Sequence, residues 1–133
     1  MKVPMRVACA LIERDGKLLV AQRPSDKSQP HKWEFPGGKL EAGETGAEAL
    51  VREIREELGV SIDIGAALPE VTHDYGAFAI TLLPFICALQ EGEVAPREHV
   101  AVRWCRAAEI EQLDLAAADV PVLRLYLEVV TSE

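Results

Sequence analysis

The stretch from Gly37 to Val60, Gly-Gly-Lys-Leu-Glu-Ala-Gly-Glu-Thr-Gly-Ala-Glu-Ala-Leu-Val-Arg-Glu-Ile-Arg-Glu-Glu-Leu-Gly-Val, restricts this chain more than any other. Thr45 followed three residues later by Glu48 forms a capping box, and Gly59 is a C-terminal stop, so the spacing predicts about fourteen residues of helix between them. At roughly 100° per residue, Ala47, Leu50, Val51, Ile54 and Leu58 fall on one apolar arc, while Glu53, Glu56 and Glu57 gather on another. No lysine or arginine four residues along that second arc neutralises the carboxylates, which repel one another. Read alone, such a cluster is a solvated helix face. The loop in front points elsewhere: Gly37-Gly38 lets the backbone approach a ligand closely, and Lys39 adds a positive charge beside it. Loop and helix together describe a metal and phosphate site.

The rest of the composition bounds what can surround that site. With 133 residues and 49% hydrophobic content, residues 1–133 suit a single domain with a proper core, and no repeat is visible. No apolar run approaches the roughly eighteen residues of a membrane span. The N-terminal residues Met1 to Arg6 lead into a short alternating segment rather than a signal peptide, so a cytoplasmic protein without a membrane partner is expected. Cys9, Cys87 and Cys105 form neither a metal-type pair nor an even disulfide set, and buried free thiols are expected. A formal charge of −8 and a pI near 4.9 argue against a nucleic acid polymer as partner, which would call for a basic face, and leave room for a small anion carried with its own metal.

In chain order, Arg6–Glu13 and Lys17–Gln22 are β-prone runs joined by Arg14-Asp15-Gly16, a hairpin signal. Arg23 to Lys32 is polar and proline-bearing, a surface loop able to act as a lid or substrate wall. After the helix, Ser61–Ile64, Leu68–Thr72, Phe78–Leu89 and Val100–Cys105 read as strands, with a turn at His73-Asp74-Tyr75-Gly76. Pro84 inside the long run predicts an edge strand or a bulge. Ala107–Gln112 and Asp119–Val130 read as helices, the second with Asp119 as N-cap and Pro121 in the first turn. This order points to an α+β or α/β sandwich with a mixed sheet.

Gly38, five residues, Glu44, seven residues, then Arg52-Glu53-Ile54-Arg55-Glu56-Glu57-Leu58-Gly59-Val60 matches the Nudix box of the Nudix hydrolase family at all nine of its defined positions. Glu34-Phe35-Pro36-Gly37-Gly38-Lys39 is similar to the MutT-type branch, and the likeness runs from about Val7 to the C-terminal helix. The resemblance implies an α/β/α sandwich and a Mg²⁺-dependent attack of water on a nucleoside triphosphate, giving a nucleoside monophosphate and pyrophosphate, with Mn²⁺ as a possible substitute. A triphosphate carries about four negative charges, so it meets three glutamates only with divalent cations between them.

Position by position, the Gly37 carbonyl, Glu53, Glu56 and Glu57 resemble the family's metal ligands, and Arg52 the arginine that orients the adjacent glutamate. Glu98 stands where MutT-type enzymes carry a further carboxylate that binds metal or takes the water proton, so Glu53 and Glu98 both stand as general-base candidates. Lys39 and Arg23 resemble phosphate-contacting residues, although Arg23 read alone is a strand-end surface charge. Glu44 reads as a buttress of the helix start and Glu34 as a structural glutamate or a site residue. Phe35 and Phe78 have the chemistry to enclose a base and equally to fill a core. Asp119 stands where the branch's namesake has a base-reading asparagine; an ionised aspartate only accepts, which favours bases presenting amino or ring N–H groups, an oxidised guanine or cytosine. The resemblance therefore implies removal of oxidised nucleotides such as 8-oxo-dGTP, with (d)CTP-type triphosphates as the alternative and ADP-ribose or dinucleoside polyphosphates behind them.

Overall fold

A computed structural model describes residues 2–131. Strands β1 (Met5–Arg14) and β2 (Lys17–Gln22) form the expected hairpin, with Arg14 opposite Lys17. Asp15 and Gly16 both take positive φ, 52° and 74°, the turn geometry whose twist matches that of the flanking strands. Along β1, Cys9 and Leu11 face one core while Ala8, Ala10 and Ile12 face another. A strand that is apolar on both faces belongs in the middle of a sheet.

One edge of β1 runs parallel to β7 (Ala79–Glu91), in register from Met5 opposite Ile80 to Glu13 opposite Ala88. The other edge is shared. Beyond the hairpin pairs at Glu13 and Arg14, the Ala10 N–H donates to the Pro36 carbonyl at 2.8 Å, and β4 (Gly37–Lys39) takes over opposite Val7, Ala8 and Cys9. The fork so opened is where the glycine loop enters the sheet. β2 continues outward against β3 (Trp33–Glu34) and β8 (Ala101–Cys105). On the far edge of β7 lie β5 (Ser61–Ala67) and β6 (Val71–Asp74), both antiparallel.

Of the two readings of Pro84, an edge position or a bulge, the first is corrected and an irregularity beside it is found. Pro84 lies fully buried in the central strand β7, opposite Cys9, and not on an edge. Its missing N–H costs nothing there because β7 changes partners at that point: β6 pairs as far as Leu82, β5 resumes at Phe85 after a register shift, and the Pro84 carbonyl accepts from Leu68 N–H at 2.9 Å in the gap. The irregularity belongs to the neighbouring strand. The turn expected over residues 73–76 begins later, since His73 and Asp74 pair with β7 and the Tyr75 N–H bonds to the Phe78 carbonyl.

Helix α1 (Gly46–Leu58) has both bonds of the capping box, Glu48 N–H to Thr45 Oγ1 at 3.1 Å and Thr45 N–H to Glu48 Oε1 at 2.9 Å, and ends at Gly59 with φ 70°. Its fully buried residues are Ala49, Leu50, Ile54 and Leu58, packed on Ala8, Ala10 and Ile12. Ala47, expected on the apolar arc, is half-buried, whereas Ala49, well away from it around the helix, is fully buried. Leu50, Ile54 and Leu58 of the expected arc are all buried, and the buried stripe extends from them to Ala49 on the side away from Val51, since the core stripe of a helix is wide. A short turn, α2 (Ala107–Ile110), leads to α3 (Asp119–Thr131), whose Val122 and Leu123 pack with Leu11, Leu18 and Val20 on the opposite sheet face. The result is an α/β/α sandwich around a mixed sheet. All three cysteines are buried and free, and burial pushes the Cys87 thiol up to about 12. No helix among the described residues is long and apolar enough to cross a membrane.

Candidate active site

A cleft of about 740 Å³ opens beside the fork in β1. One wall is β4 and the acidic face of α1, with Gly37, Lys39, Glu53, Glu56 and Glu57 all on its lining. Arg23, Phe35, Phe78 and Asp119 also line it, as does Glu98, whose loop is held at the end of α1, so every site residue expected from sequence lines the cleft except Arg52, which stands behind Glu53.

The two glycines are required by packing. A Cβ at Gly37 would overlap the Ala8 carbonyl, and one at Gly38 would overlap the Glu53 carboxylate. Gly37 therefore lets β4 press on β1, and Gly38 lets Glu53 lie against the loop.

Arg52 supplies the cation that the helical-wheel reading found missing. Its guanidinium bonds Glu53 Oε1 at 2.8 Å, reaches Glu56 at 3.4 Å, forks onto both oxygens of Glu44 at 2.8 and 2.9 Å, and ties to the Lys39 carbonyl at 3.1 Å. A long side chain at the margin of the acid arc wraps across it, which angular position alone does not reveal. The Arg52 fork, with the Glu41 N–H, holds Glu44 down to about 2. Both oxygens of Glu44 are thereby committed to buttressing the helix start.

Glu57 lies beyond that neutralisation. Its Oε2 is buried without a partner, and burial first, then the charge of Glu53, pushes its carboxyl up to about 8. Among the described residues no three His, Cys, Asp or Glu side chains converge as a closed cage. The orphaned Glu57 oxygen, the Glu53 and Glu56 carboxylates that share the single charge of Arg52, and the Gly37 carbonyl nevertheless line one cleft as hard oxygen donors with more negative than positive charge, and such a set fits a divalent cation.

Arg23 is engaged rather than free. Its Nε bonds the Ser28 carbonyl at 2.7 Å, Nη2 reaches Ser28 Oγ at 3.2 Å, and Nη1 bonds Glu34 Oε1 at 2.8 Å, so the loop of residues 23–32 is folded around it. Glu34 Oε2 in turn accepts from His99 Nε2 at 2.9 Å. The sequence leaves the role of Glu34 open and singles out nothing at His99; the two lie 65 positions apart, and no local pattern links them.

Asp119 is not a helix cap. It is the first residue of α3, 5% exposed, and its Oδ2 accepts the Phe35 N–H at 2.8 Å. Burial, and secondarily the charge of Glu34, push its carboxyl well above the usual range. Phe35 is itself buried in the core, whereas Phe78 is half-buried and stacks on Tyr75 with ring centroids 5.1 Å apart. The Tyr75 hydroxyl accepts the Ala118 N–H at 3.0 Å, which fastens this aromatic wall next to Asp119. Sequence reasoning missed Tyr75, having assigned it only to a turn.

A capped helix bearing three glutamates, an arginine clamp behind them and a close-packed glycine loop is a specific arrangement, and the NUDIX domain model matches residues 2–126. The chain belongs to the Nudix hydrolase family. Within that family it is 40% identical over 123 residues to the CTP pyrophosphohydrolase of Escherichia coli, covering 92% of this chain and 91% of that protein. It is 35% identical over 98 residues to the 8-oxo-dGTP diphosphatase of Proteus vulgaris, covering 73% and 88%. The solution structure of the Escherichia coli ORF135 protein superposes with a TM-score of 0.85 at 36% identity, covering 99% of this chain and 94% of that one. Nudix hydrolases use divalent metal ions as a family, which accords with the donor set around Glu57, and α1 with its preceding loop is the Nudix box of this member.

Proposed function

We propose that this Nudix hydrolase, as one domain over residues 1–133 in the cytoplasm, is a Mg²⁺-dependent nucleoside triphosphate pyrophosphohydrolase. It takes up a free nucleoside triphosphate and water and releases a nucleoside monophosphate and pyrophosphate. The observation that carries this reading is the cleft's division into an acidic end on α1, with the unpartnered Glu57 oxygen, and an aromatic end with the buried Asp119. The first end suits phosphates arriving with metal; the second suits a base.

Gly37 through its carbonyl, Glu53, Glu56, Glu57 and Glu98 would hold Mg²⁺, for which Mn²⁺ is a chemical substitute. When bound, the ion neutralises phosphate charge and makes the phosphorus more open to attack. Arg52 fixes Glu53 by Oε1, and the other oxygen lies against Gly38. Glu53 or Glu98 accepts the proton of the attacking water. Lys39, exposed at the rim, and Arg23, with the loop it organises, contact the phosphates. Phe78 encloses the base with Tyr75 beside it, and Phe35 bounds the same end chiefly through its backbone, which orients Asp119.

The substrates expected first are oxidised purine nucleotides such as 8-oxo-dGTP, whose ring and amino N–H groups can bond an Asp119 oxygen; the raised carboxyl of Asp119 favours its protonated form, which can also donate to a base carbonyl or ring nitrogen. A second reading, (d)CTP and its modified forms, is favoured by the 40% identity to a protein named for CTP pyrophosphohydrolysis. A panel of normal and oxidised triphosphates with Mg²⁺, scored for pyrophosphate against phosphate, tests both. Release of phosphate alone, or turnover only of ADP-ribose or diadenosine polyphosphates, would reject the reading.

A further inference from the structure

Glu98 sits on the loop before β8, and among the described residues its carboxylate has one ion-pair approach, 4.0 Å to Lys27 Nζ, with both side chains half exposed. An exposed glutamate so loosely held does not fix its own place. Its neighbours do. On one side the Arg97 N–H donates to the Glu57 carbonyl at 3.0 Å and Arg97 Nη1 to the Glu56 carbonyl at 3.2 Å, pinning the loop to the end of α1. On the other side His99, whose side chain is 6% exposed, donates through Nε2 to Glu34. Glu34 holds Arg23 on its second oxygen, and Arg23 holds Ser28 twice.

The His99 imidazole is a costly way to fill space, because its Nδ1 is buried without a partner. An apolar side chain would pack there without leaving a polar atom unsatisfied. What an apolar side chain could not supply is the bond to Glu34. We infer that His99, through Glu34, is a positioning residue for Glu98, and that the Arg23–Glu34–His99 chain makes the place of Glu98 depend on the loop of residues 23–32. This rests on the role given to Glu98 in the proposed reaction and adds the device that holds it there.

The rival account is that the pair merely staples two loops for stability. Steady-state pyrophosphate release separates them. His99→Gln sets an amide N–H near the place of Nε2, whereas His99→Asn is too short to reach Glu34. His99→Asn should lower kcat by about tenfold or more, as loss of a partner one step removed from a metal site commonly does, with KM changed less than about threefold. His99→Gln should stay within about threefold of the parent. In a Glu98→Gln background, His99→Asn should cost less than about twofold in kcat, because nothing remains to be positioned. The inference is overturned if the Asn and Gln variants behave alike, if the Asn effect persists undiminished in the Glu98→Gln background, or if Glu98→Gln itself keeps the parent kcat. A parent protein that releases no pyrophosphate from any triphosphate sinks the proposed reaction and this inference with it, whereas the other adverse results with an active parent sink the inference alone.

Discussion

Glu57 carries an unusual burden for a single side chain. Its carboxyl is raised from the ordinary 4.5 to about 8 by burial and by Glu53. A raised acid contributes stability that is fully present below the ordinary value and is lost as pH rises through the folded one. The metal-free protein should therefore lose thermal stability between about pH 5 and pH 8.5, and Mg²⁺ should restore more of it at the upper end. Thermal denaturation with a chelator against Mg²⁺ at both ends reads this, and an equal Mg²⁺ gain at both pH values would contradict it. Glu44 works in the opposite sense in acid: its carboxyl is lowered to about 2, so its contribution is present above the ordinary range and fades as pH falls towards that value. For the chemistry itself, Glu53→Gln should reduce kcat by about two to four orders of magnitude; near-parent turnover would remove the mechanism. Asp119→Asn keeps an oxygen for the Phe35 N–H but adds a donor, so the ratio of kcat/KM between 8-oxo-dGTP and dCTP should move by about tenfold with the products unchanged. An unmoved ratio would reduce Asp119 to an anchor for Phe35.

At the scale of elements, β4 and α1 act as one part. Gly37 and Gly38 look interchangeable in the sequence, yet they meet different obstacles. An added methyl at Gly37 strikes the backbone of β1, which cannot yield, while at Gly38 it strikes the end of the Glu53 side chain, which can. Gly37→Ala should therefore destabilise the fold by about 1–3 kcal/mol in denaturant titrations. Gly38→Ala should leave the denaturation midpoint nearly unchanged and depress kcat by displacing Glu53. If both variants lose stability equally, the assignment of the two glycines is wrong.

Much of the molecule was readable before any coordinates because its signals are local. The Asp15-Gly16 turn, the Thr45–Glu48 box, the Gly59 stop and the spacing of Glu53, Glu56 and Glu57 each span less than one element. What escaped depends on segments meeting across the sheet. Pro84 reads as an edge residue or a bulge, and nothing near it in sequence says that it lies in a central strand where β6 yields to an irregular β5 beside it. Asp119 reads as a cap because the donor that claims it, the Phe35 N–H, is 84 positions away. The hold of Arg52 on Glu53 was expected from the family resemblance, but its further reach to Glu44 and the Lys39 carbonyl, eight and thirteen positions away, was not. Tyr75 and His99 carry no motif at all, and only the closed cleft gives them work.

The sheet keeps α1 and α3 on opposite faces, in separate cores. Such a partition makes the enzyme modular for laboratory evolution. Saturating the half-buried Tyr75 and Phe78, while leaving the buried Asp119 and Val122 of α3 alone, samples new bases without disturbing the box, because neither position packs in the core under α1. A library so confined should yield variants of altered base preference at parent-like melting temperature, whereas an equal library over residues 46–58 should yield mostly inactive ones, with screening for pyrophosphate and melting temperature as the measure. The hydrolytic head and the recognition tail can then be bred separately and joined again through the sheet between them.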